Sequence, residues 1–284
     1  MGNMTDRPSP SFVRSSARIF DLSLTQMLLS KRSIFLALLA LAAVALALIF
    51  RVVAWVHCGP SGGPLRIEGR QVAGAAIFGL MIWLFHLRFI VPALGVFYGT
   101  ALIADEVDDK TITYLFTRPI PRGAVLLGKY LAYAVCTTLM ILPSVMLVYF
   151  LLVPIGGGSL AAHVPALFTD LGLLALGLVA YGAVFAFVGA QFGRPLLFGL
   201  IFAFGWEQAV LLFPGYLKRL TVAYYLQSLT PHAMPADSAT SLLQAIMQES
   251  VSAPVALGTL ALISGGFLLL AIQAVERREY VLEQ

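Results

Sequence analysis

The sequence predicts an all-α polytopic membrane protein with about six transmembrane helices. Of its 284 residues 60% are hydrophobic and only 11% are charged, whereas about 25% of the residues in a soluble domain are charged. The apolar residues form long blocks, and the alternating pattern of a membrane barrel is absent. Because lipid offers the backbone no hydrogen-bond partners, each apolar block is expected to be a helix.

Six apolar blocks define the expected spans, and each supplies roughly the 20 residues that a bilayer core requires. The second block is longer than one crossing needs, and His86 and Arg88 interrupt it. Its crossing is expected at about Phe89–Ala104 plus a few preceding residues, with Val72–Phe85 as an outer extension or a re-entrant piece. The six blocks are Ser33–Ala54, Val72–Ala104, Ala124–Val153, Val164–Val188, Leu196–Phe213 and Pro254–Val275.

The segment before the first span has the pattern of an amphipathic helix. Within residues 1–32, apolar side chains recur at helical spacing and polar ones fall on the opposite side, which predicts a helix lying in the membrane interface. The alternative is a frayed cytoplasmic tail. The apolar set is Val13, Ala17, Phe20, Leu24 and Met27, and the polar set is Arg14, Arg18, Asp21 and Thr25.

The distribution of Lys and Arg predicts the orientation of the chain. Most basic residues lie in the N-terminal segment, in the loop 105–123 and around the tail 276–284, and few lie in the outer loops such as 214–253. Basic residues concentrate on the cytoplasmic side, so both termini are expected to be cytoplasmic. The net charge of +4 therefore indicates orientation in a plasma (inner) membrane crossed by residues 33–275, and not nucleic-acid binding.

The loop between the second and third expected spans is the most informative part of the sequence. An acidic patch closes the second span, and a short amphipathic turn, Lys110–Phe116, follows it. Pro119 and Pro121 have fixed φ angles and no amide hydrogen, which makes the following corner rigid. The loop is expected to be stiff and to present Tyr114, Leu115 and Phe116 as an apolar tip to a protein partner.

This stretch resembles the signature of ABC-2 type permeases, the six-span, half-size membrane subunits of ABC transporters. In that family an acidic pair closes the second span, a GT-x-x-x-L helix and a Pro-x-x-Arg corner follow, and Gly-Lys opens the third span. Lys110 departs from the family's usual Gly. The matching positions are Asp105-Glu106, Lys110-Thr111, Leu115, Pro119-Ile120-Pro121-Arg122 and Gly128-Lys129; Trp206-Glu207 and Glu276-Arg277-Arg278-Glu279-Tyr280 are also similar.

The resemblance implies that the turn Lys110–Phe116 is a coupling helix seated in a groove of a separate ABC ATPase subunit. Mg-ATP would be bound by that partner, with no cofactor in this chain, and two membrane subunits would be needed, either a homodimer or a pair with a related permease. Export is implied over import. The expected coupling residues are Asp105, Glu106, Asp108, Asp109, Lys110, Thr111, Tyr114, Leu115, Phe116, Arg118, Pro119, Arg122, Gly128 and Lys129. The alternative is an ordinary solvated connector.

A partial match to a phosphate-binding loop lies inside the same stretch. Residues 123–129 fit G-x-x-x-x-G-K, but the next residue is Tyr130 where Mg²⁺ binding requires Ser or Thr. A proline corner precedes the match instead of a buried strand. We therefore expect no nucleotide site here, and an ATP-driven mechanism would need a partner.

Polar residues inside the spans are the remaining candidates. Glu207 is interpreted as the one carboxylate well inside an apolar block, and such residues mark either function or a buried partner. Structural pairing, for example with a Tyr, and substrate contact are equally open. Arg88 is expected to reach the outer interface or line a cavity. Gly172, Gly177, Gly182 and Gly189 are expected to allow close helix packing.

Two other functions make demands that the sequence does not clearly meet. A secondary transporter or channel working without an ATPase would need ionisable residues in several spans, and only Glu207 qualifies clearly. An intramembrane enzyme would need a nucleophile with a partner, and Ser144, Ser159 and Ser264 have none at a readable spacing. The four histidines lack metal-ligand spacing, and Cys58 and Cys136 are not expected to pair. The short outer loops leave lipids, drugs, glycans and peptides as substrate classes.

Overall fold

The computed structural model describes residues 12–58, 65–67, 70–108, 121–212, 216–231 and 251–277. Almost all of these residues are helical, which confirms the all-α class. The helices are α1 (Phe12–Leu29), α2 (Lys31–Cys58), α3 (residues 74–108), α4 (Arg122–Leu152), α5 (Leu160–Gln191), α6 (residues 195–212), α7 (Val222–Ser228) and α8 (Ala253–Arg277); a 3₁₀ turn covers Tyr216–Leu220. The strands β1 (Leu65–Ile67) and β2 (Arg70–Val72) form an antiparallel hairpin in which Leu65 pairs with Val72.

The helices α3 and α6 combine α-helical and π-helical turns. In α3, α-helical Gly74–Met81, Val91–Leu94 and Ala101–Asp108 alternate with π-helical Ile82–Ile90 and Gly95–Gly99. In α6, π-helical Ile201–Trp206 lies between Pro195–Leu200 and Glu207–Leu212. Long π-helical stretches are rare and often lie near functional sites. These ones flank a buried polar cluster described below.

Among the described residues, five helices are long and apolar enough to cross a membrane, and they fall in α2, α3, α4, α5 and α8. The sixth expected span corresponds to α6, whose apolar stretch Pro195–Val210 is shorter. The 18 residues of the complete α6 would extend roughly 27 Å at the rise of an α-helix, slightly less than the hydrocarbon thickness of about 30 Å. The polytopic membrane class is thus supported by six apolar helices of unequal length.

The second expected span differs from its prediction. The helix α3 runs without a break from residue 74 to residue 108, so His86 and Arg88 interrupt the hydropathy but not the backbone. A separate re-entrant piece over Val72–Phe85 is therefore wrong. The His86 ring is completely buried, with Nδ1 3.2 Å from the Met81 carbonyl oxygen and Nε2 without a hydrogen bond to any described residue.

The centre of the bundle is formed by α3 and α5. In each of these helices 67% of the most apolar window is buried, against 28% in α2 and 22% in α8. The helices α2 and α8 therefore turn large apolar faces outward, for example Leu41 and Leu262, which are 62% and 75% exposed. An outward apolar surface of this kind is what a lipid environment requires.

Glycines allow the central helices to approach one another. A Cβ atom on Gly182 would collide with the Tyr133 ring, and one on Gly189 would collide with the Thr100 carbonyl. On Gly177 it would lie 3.1 Å from Val91 Cγ1. The prediction of close packing is confirmed at these three positions. It is wrong for Gly172, which has no described neighbour within 4 Å.

Two tyrosines of α4 fix it to α5 through hydrogen bonds. The Tyr130 hydroxyl donates to the Val179 carbonyl at 2.8 Å, and the Tyr133 hydroxyl donates to the Leu178 carbonyl at 2.9 Å. These carbonyls also belong to the helical ladder of α5, and a carbonyl oxygen has a second lone pair to offer. Each tyrosine thus satisfies its buried hydroxyl without disrupting the neighbouring helix.

The segment expected to be a polar outer loop, 214–253, is partly buried. Lys218 is 3% exposed, Thr221 is completely buried, and α7 is buried along most of its length. The Thr221 hydroxyl accepts the Tyr224 amide at 3.4 Å and caps α7. The helix α7 packs onto α5 near Gly177 through Leu226, while Arg219 and Leu220 before it are exposed. The sequence of residues 238–248 also suits a short surface helix, and this segment lies outside the described residues.

The prediction that the two cysteines do not pair stays a prediction. Cys136 is buried and free among the described residues. The side chain of Cys58 lies outside the described set.

Candidate functional site

One end of the bundle brings together the helix ends on either side of the segment 109–120. A Cβ atom on Gly123, at the start of α4, would lie 2.7 Å from Ile272 Cγ2, 2.9 Å from Glu276 Oε1 and 3.6 Å from Phe12 Cε2. The start of α1 and the end of α8 therefore meet the start of α4. The first described helix thus begins, and the last one ends, beside the start of α4.

The helix α1 packs against α4 along a seam of small polar residues. Ser15, Ser16 and Ser23 are only 5–6% exposed, although the amphipathic pattern had not singled them out. A Cβ atom on Gly128 would lie 2.7 Å from the Ser16 carbonyl oxygen and 2.9 Å from Ile19 Cβ. Gly128 is therefore the position at which the backbones of α1 and α4 come into contact.

The remaining surface of α1 agrees with the amphipathic pattern. Val13, from the expected apolar face, is 76% exposed, and Arg14, Arg18 and Asp21 are also exposed. The helix therefore has a serine seam towards α4 and an exposed charged face, while Leu24 and Met27 of the expected apolar set pack against the core of the bundle. Its helical structure is confirmed, and its position in the membrane interface stays a prediction.

Lys129 joins α4 to the end of α3. Its ammonium group, Nζ, donates to the Leu102 carbonyl at 3.3 Å. Leu102 lies one turn before Asp105, and the backbone of α3 continues as a helix through Glu106 to Asp108. Gly128 thus packs against α1, and the next residue, Lys129, donates a hydrogen bond to α3.

The structure places the expected coupling residues in two groups around an undescribed segment. Asp105, Glu106 and Asp108 lie in the last turns of α3, and Arg122, Gly128 and Lys129 lie in the first turns of α4. The other expected positions fall outside the described residues; they are Asp109, Lys110, Thr111, Tyr114, Leu115, Phe116, Arg118 and Pro119. The structure therefore brings together the two ends of the segment.

The partial phosphate-loop match is helical. Residues 123–129 form the first turns of α4, and the amides of Ala124 and Val125 bond to the Pro121 carbonyl. A phosphate-binding loop presents free amide groups from an irregular turn. These residues instead have the geometry of a helix packed between α1 and α8.

A second group of polar residues is buried inside the bundle around Glu207. This side chain is completely buried, and its Oε2 atom accepts a hydrogen bond from the Tyr181 hydroxyl. Its Oε1 atom accepts the amides of Val222 at 2.9 Å and Ala223 at 3.2 Å, the first two residues of α7. Glu207 thus connects α6, α5 and α7. Between the two open interpretations, this geometry favours structural pairing, since both carboxylate oxygens have protein partners.

Arg88 lies on α3 against an aromatic ring. Its guanidinium carbon is 4.9 Å from the centroid of the Trp83 ring, within the range of a cation–π contact. The Nε and Nη2 atoms are buried and make no hydrogen bond to any described residue. Arg88 is therefore sheltered by protein and does not extend fully into solvent.

The backbone of Arg88 has a side-chain partner from α6. The Gln208 side-chain amide donates to the Arg88 carbonyl at 3.3 Å. This carbonyl belongs to the π-helical stretch Ile82–Ile90, so the hydrogen bond links α6 to that stretch of α3.

The sequence interpretation missed one intramembrane carboxylate. Asp170 lies inside the fourth expected span and is completely buried in α5, so Glu207 is not alone. The signal was present, since an acidic residue within an apolar block is the same observation that selected Glu207. Lys218 and the α7 backbone were missed for a different reason, because only tertiary packing buries them.

Comparison with protein families agrees with this architecture. A family model described as ABC-2 family transporter protein matches residues 67–278, which include every helix from α3 to α8. The helices α1 and α2 precede the matched region. A comparison with curated proteins gave no significant match. Because the family model covers most of the chain, the protein belongs to the ABC-2 transporter family and is a multi-pass membrane permease of that family.

Proposed function

We propose that this chain is the permease subunit of an ATP-driven exporter and receives its drive from a separate ABC ATPase subunit through residues 105–123. A second permease copy would complete the substrate path in the plasma (inner) membrane, with Mg-ATP on the ATPase. Family membership and the set of apolar helices support the permease role. The basic residues around the segment support a cytoplasmic position for it and for both termini.

The bracing of the segment's two ends is the observation that carries this proposal. Lys129 joins the start of α4 to the end of α3, and Gly128 and Gly123 seat the same turns against α1 and α8. A force applied to the segment would therefore reach four helices at once. Rigid-body movement of packed helices is an established way for a membrane domain to change state.

Roles within the segment follow from side-chain chemistry. Tyr114, Leu115 and Phe116 would enter an apolar groove of the ATPase, while Asp105 and Glu106 would close α3 at the membrane surface. Arg122 would lie near the anionic inner leaflet. None of these residues needs to touch the substrate.

The test is to separate transport from ATP hydrolysis. The chain is purified from its native membranes with the ABC ATPase that accompanies it, and ATP hydrolysis is measured in vesicles for the wild type, Glu106→Ala and Arg122→Glu. Both variants should insert normally and lose most of the coupling between hydrolysis and transport. Arg51→Gln is the control, because Arg51 is exposed near the far end of α2.

Two results would overturn the proposal. One is wild-type coupling in both variants. The other is purification of a transport-active protein with no ATPase, combined with labelling of Arg122 variants from the outside of intact cells.

The alternative remains a secondary transporter or channel. Asp170, found buried in α5, adds a second intramembrane carboxylate to Glu207, and ion-coupled transporters use such residues. The same vesicles distinguish the two functions. Transport that follows an imposed ion gradient without ATP would support the alternative, and transport that requires ATP would support the permease.

A further inference from the structure

A groove of about 550 Å³ lies at the bundle end where α3 ends and α2 begins. It is lined by the start of α2, the end of α3 and the start of α6 together with the turn before it. Phe97 and Leu200 contribute apolar surface, and Ala104, the residue before Asp105, also lines it. Its volume is in the range of small-molecule sites. The proposed coupling function does not use this groove.

Two arginines line the groove from different parts of the chain. Arg32 comes from the first turn of α2 and Arg194 from the turn before α6, and both are exposed. A guanidinium group is charged at every physiological pH and presents a planar set of donors that suits phosphate oxygens. The pair therefore favours an anionic, oxygen-rich group.

The apolar surface continues from the groove along the outside of α6. Leu196 and Leu197 are 43% and 55% exposed and line the groove. Phe198 and Ile201 follow on the same helix and are 46% and 60% exposed. An acyl chain lying here would cover these side chains while its headgroup remained beside the arginines.

We propose that this groove binds an anionic phospholipid, with its phosphate between Arg32 and Arg194 and an acyl chain along the first turns of α6. The phosphate would then face the two arginines, and the acyl chain would face the apolar side chains of α6. A zwitterionic lipid would bring a cation close to the arginines, and a free phosphate would leave Leu196 and Leu197 uncovered. Basic pockets between helices commonly hold anionic headgroups on the cytoplasmic side.

The position of this lipid has a consequence for the coupling segment. The groove touches the last turns of α3 immediately before Asp105 and also the base of α6. A bound lipid would therefore contact both helices at the end of the molecule where the ATPase is proposed to act. Its binding would not depend on that proposal, since it needs only the permease.

The experiment measures lipid retention by native mass spectrometry. The purified full-length chain is placed in micelles with equal amounts of phosphatidylglycerol and phosphatidylcholine carrying the same acyl chains. We expect preferential retention of phosphatidylglycerol, and an approximately tenfold weaker apparent affinity in Arg194→Gln, since charge-assisted hydrogen bonds are among the stronger ones. Arg51→Gln, which removes the same charge from an exposed position outside the groove, should bind like the wild type.

A second variant distinguishes binding of the whole lipid from binding of a free phosphate ion. Leu197→Ser should weaken retention of phosphatidylglycerol by reducing the apolar wall, and inorganic phosphate at millimolar concentration should not displace the lipid. Melting temperatures of all variants are compared, and Arg194→Gln is expected to match the wild type because Arg194 is exposed.

Three outcomes would overturn the proposal. Equal retention of the two lipids would remove the headgroup preference. Equal losses in Arg194→Gln and Arg51→Gln would indicate attraction by overall charge. Displacement by inorganic phosphate, with Leu197→Ser unaffected, would assign the arginines to a free anion.

Discussion

Replacing Glu207 with alanine removes the acceptor for three buried donors at once. The Tyr181 hydroxyl and the amides of Val222 and Ala223 all donate to this carboxylate, and Glu207 is completely buried. The loss would therefore affect three helices, since these groups belong to α5 and α7 while Glu207 belongs to α6.

The expected loss of stability follows from the number of unsatisfied donors. A buried donor left without a partner costs about 1–3 kcal/mol. Because the Tyr181 hydroxyl can rotate and the contributions are not additive, the total is roughly 3–6 kcal/mol. At about 2–4 °C for each kcal/mol, Glu207→Ala should melt at least roughly 6 °C below the wild type. Glu207→Gln should lose only about 1–2 kcal/mol, because its amide oxygen can still accept the two backbone amides.

The assay is thermal unfolding of the purified protein in detergent, monitored by intrinsic fluorescence. Tyr181→Phe removes one of the three donors and should give an intermediate change. Asp21→Ala is the matched control, because it removes an exposed carboxylate from α1. If Glu207→Ala melts within 2 °C of this control, by the same conversion, the three hydrogen bonds do not hold α5, α6 and α7 together and the reasoning is wrong.

Two further predictions concern contacts between helices. Gly128→Ala would place a Cβ atom 2.7 Å from the Ser16 carbonyl oxygen, so it should destabilise the protein by about 1–3 kcal/mol. The control Gly172→Ala meets no described atom within 4 Å and should leave the melting temperature unchanged or slightly raised. Equal melting temperatures of the two variants would contradict the α1–α4 contact. Gln208→Leu should cost about 1–2 kcal/mol by leaving the Arg88 carbonyl without this donor, measured by the same unfolding assay. Full stability in Gln208→Leu would show that another group satisfies that carbonyl.

The sequence predicted the membrane helices well where hydrophobicity alone decides the structure. Blocks starting at Ser33, Ala124 and Pro254 correspond to α2, α4 and α8, which begin one or two residues earlier. Long apolar runs have no alternative to a helix in lipid, so these elements need no tertiary information. The ends of α5 were placed too far inside, because its first turn contains His163 and Pro165 follows closely, and proline is tolerated near a helix start.

Elements that depend on neighbours could not be read from composition. The helix α7 contains Thr221 as its cap and two tyrosines, which suits a polar loop as well as a buried turn. Glu207 stabilises the buried helix by accepting hydrogen bonds from the first two amides of α7. No pattern within the sequence of α7 indicates that Glu207 is its partner. The serine seam of α1 was missed similarly, since Ser16 gains its importance only opposite Gly128.

The sequence predicted where the candidate coupling site lies, but not which helices its residues contact. The motif drew attention to Gly128 and Lys129 as a pair, and the structure places both at helix contacts. Which helices they contact depends on how the bundle folds, and no local spacing encodes it. The apolar tip Tyr114–Phe116 stays a prediction.

The hydrogen bond from Gln208 to the Arg88 carbonyl has a bearing on how the permease could open. Pulling α6 away from α3 at this level would remove this donor from a part-buried carbonyl in an apolar span, where lipid offers no replacement. The two helices are thus expected to travel as one unit during a transport cycle. A passage for substrate would then form along other surfaces of that unit, and not along the line where these two helices meet.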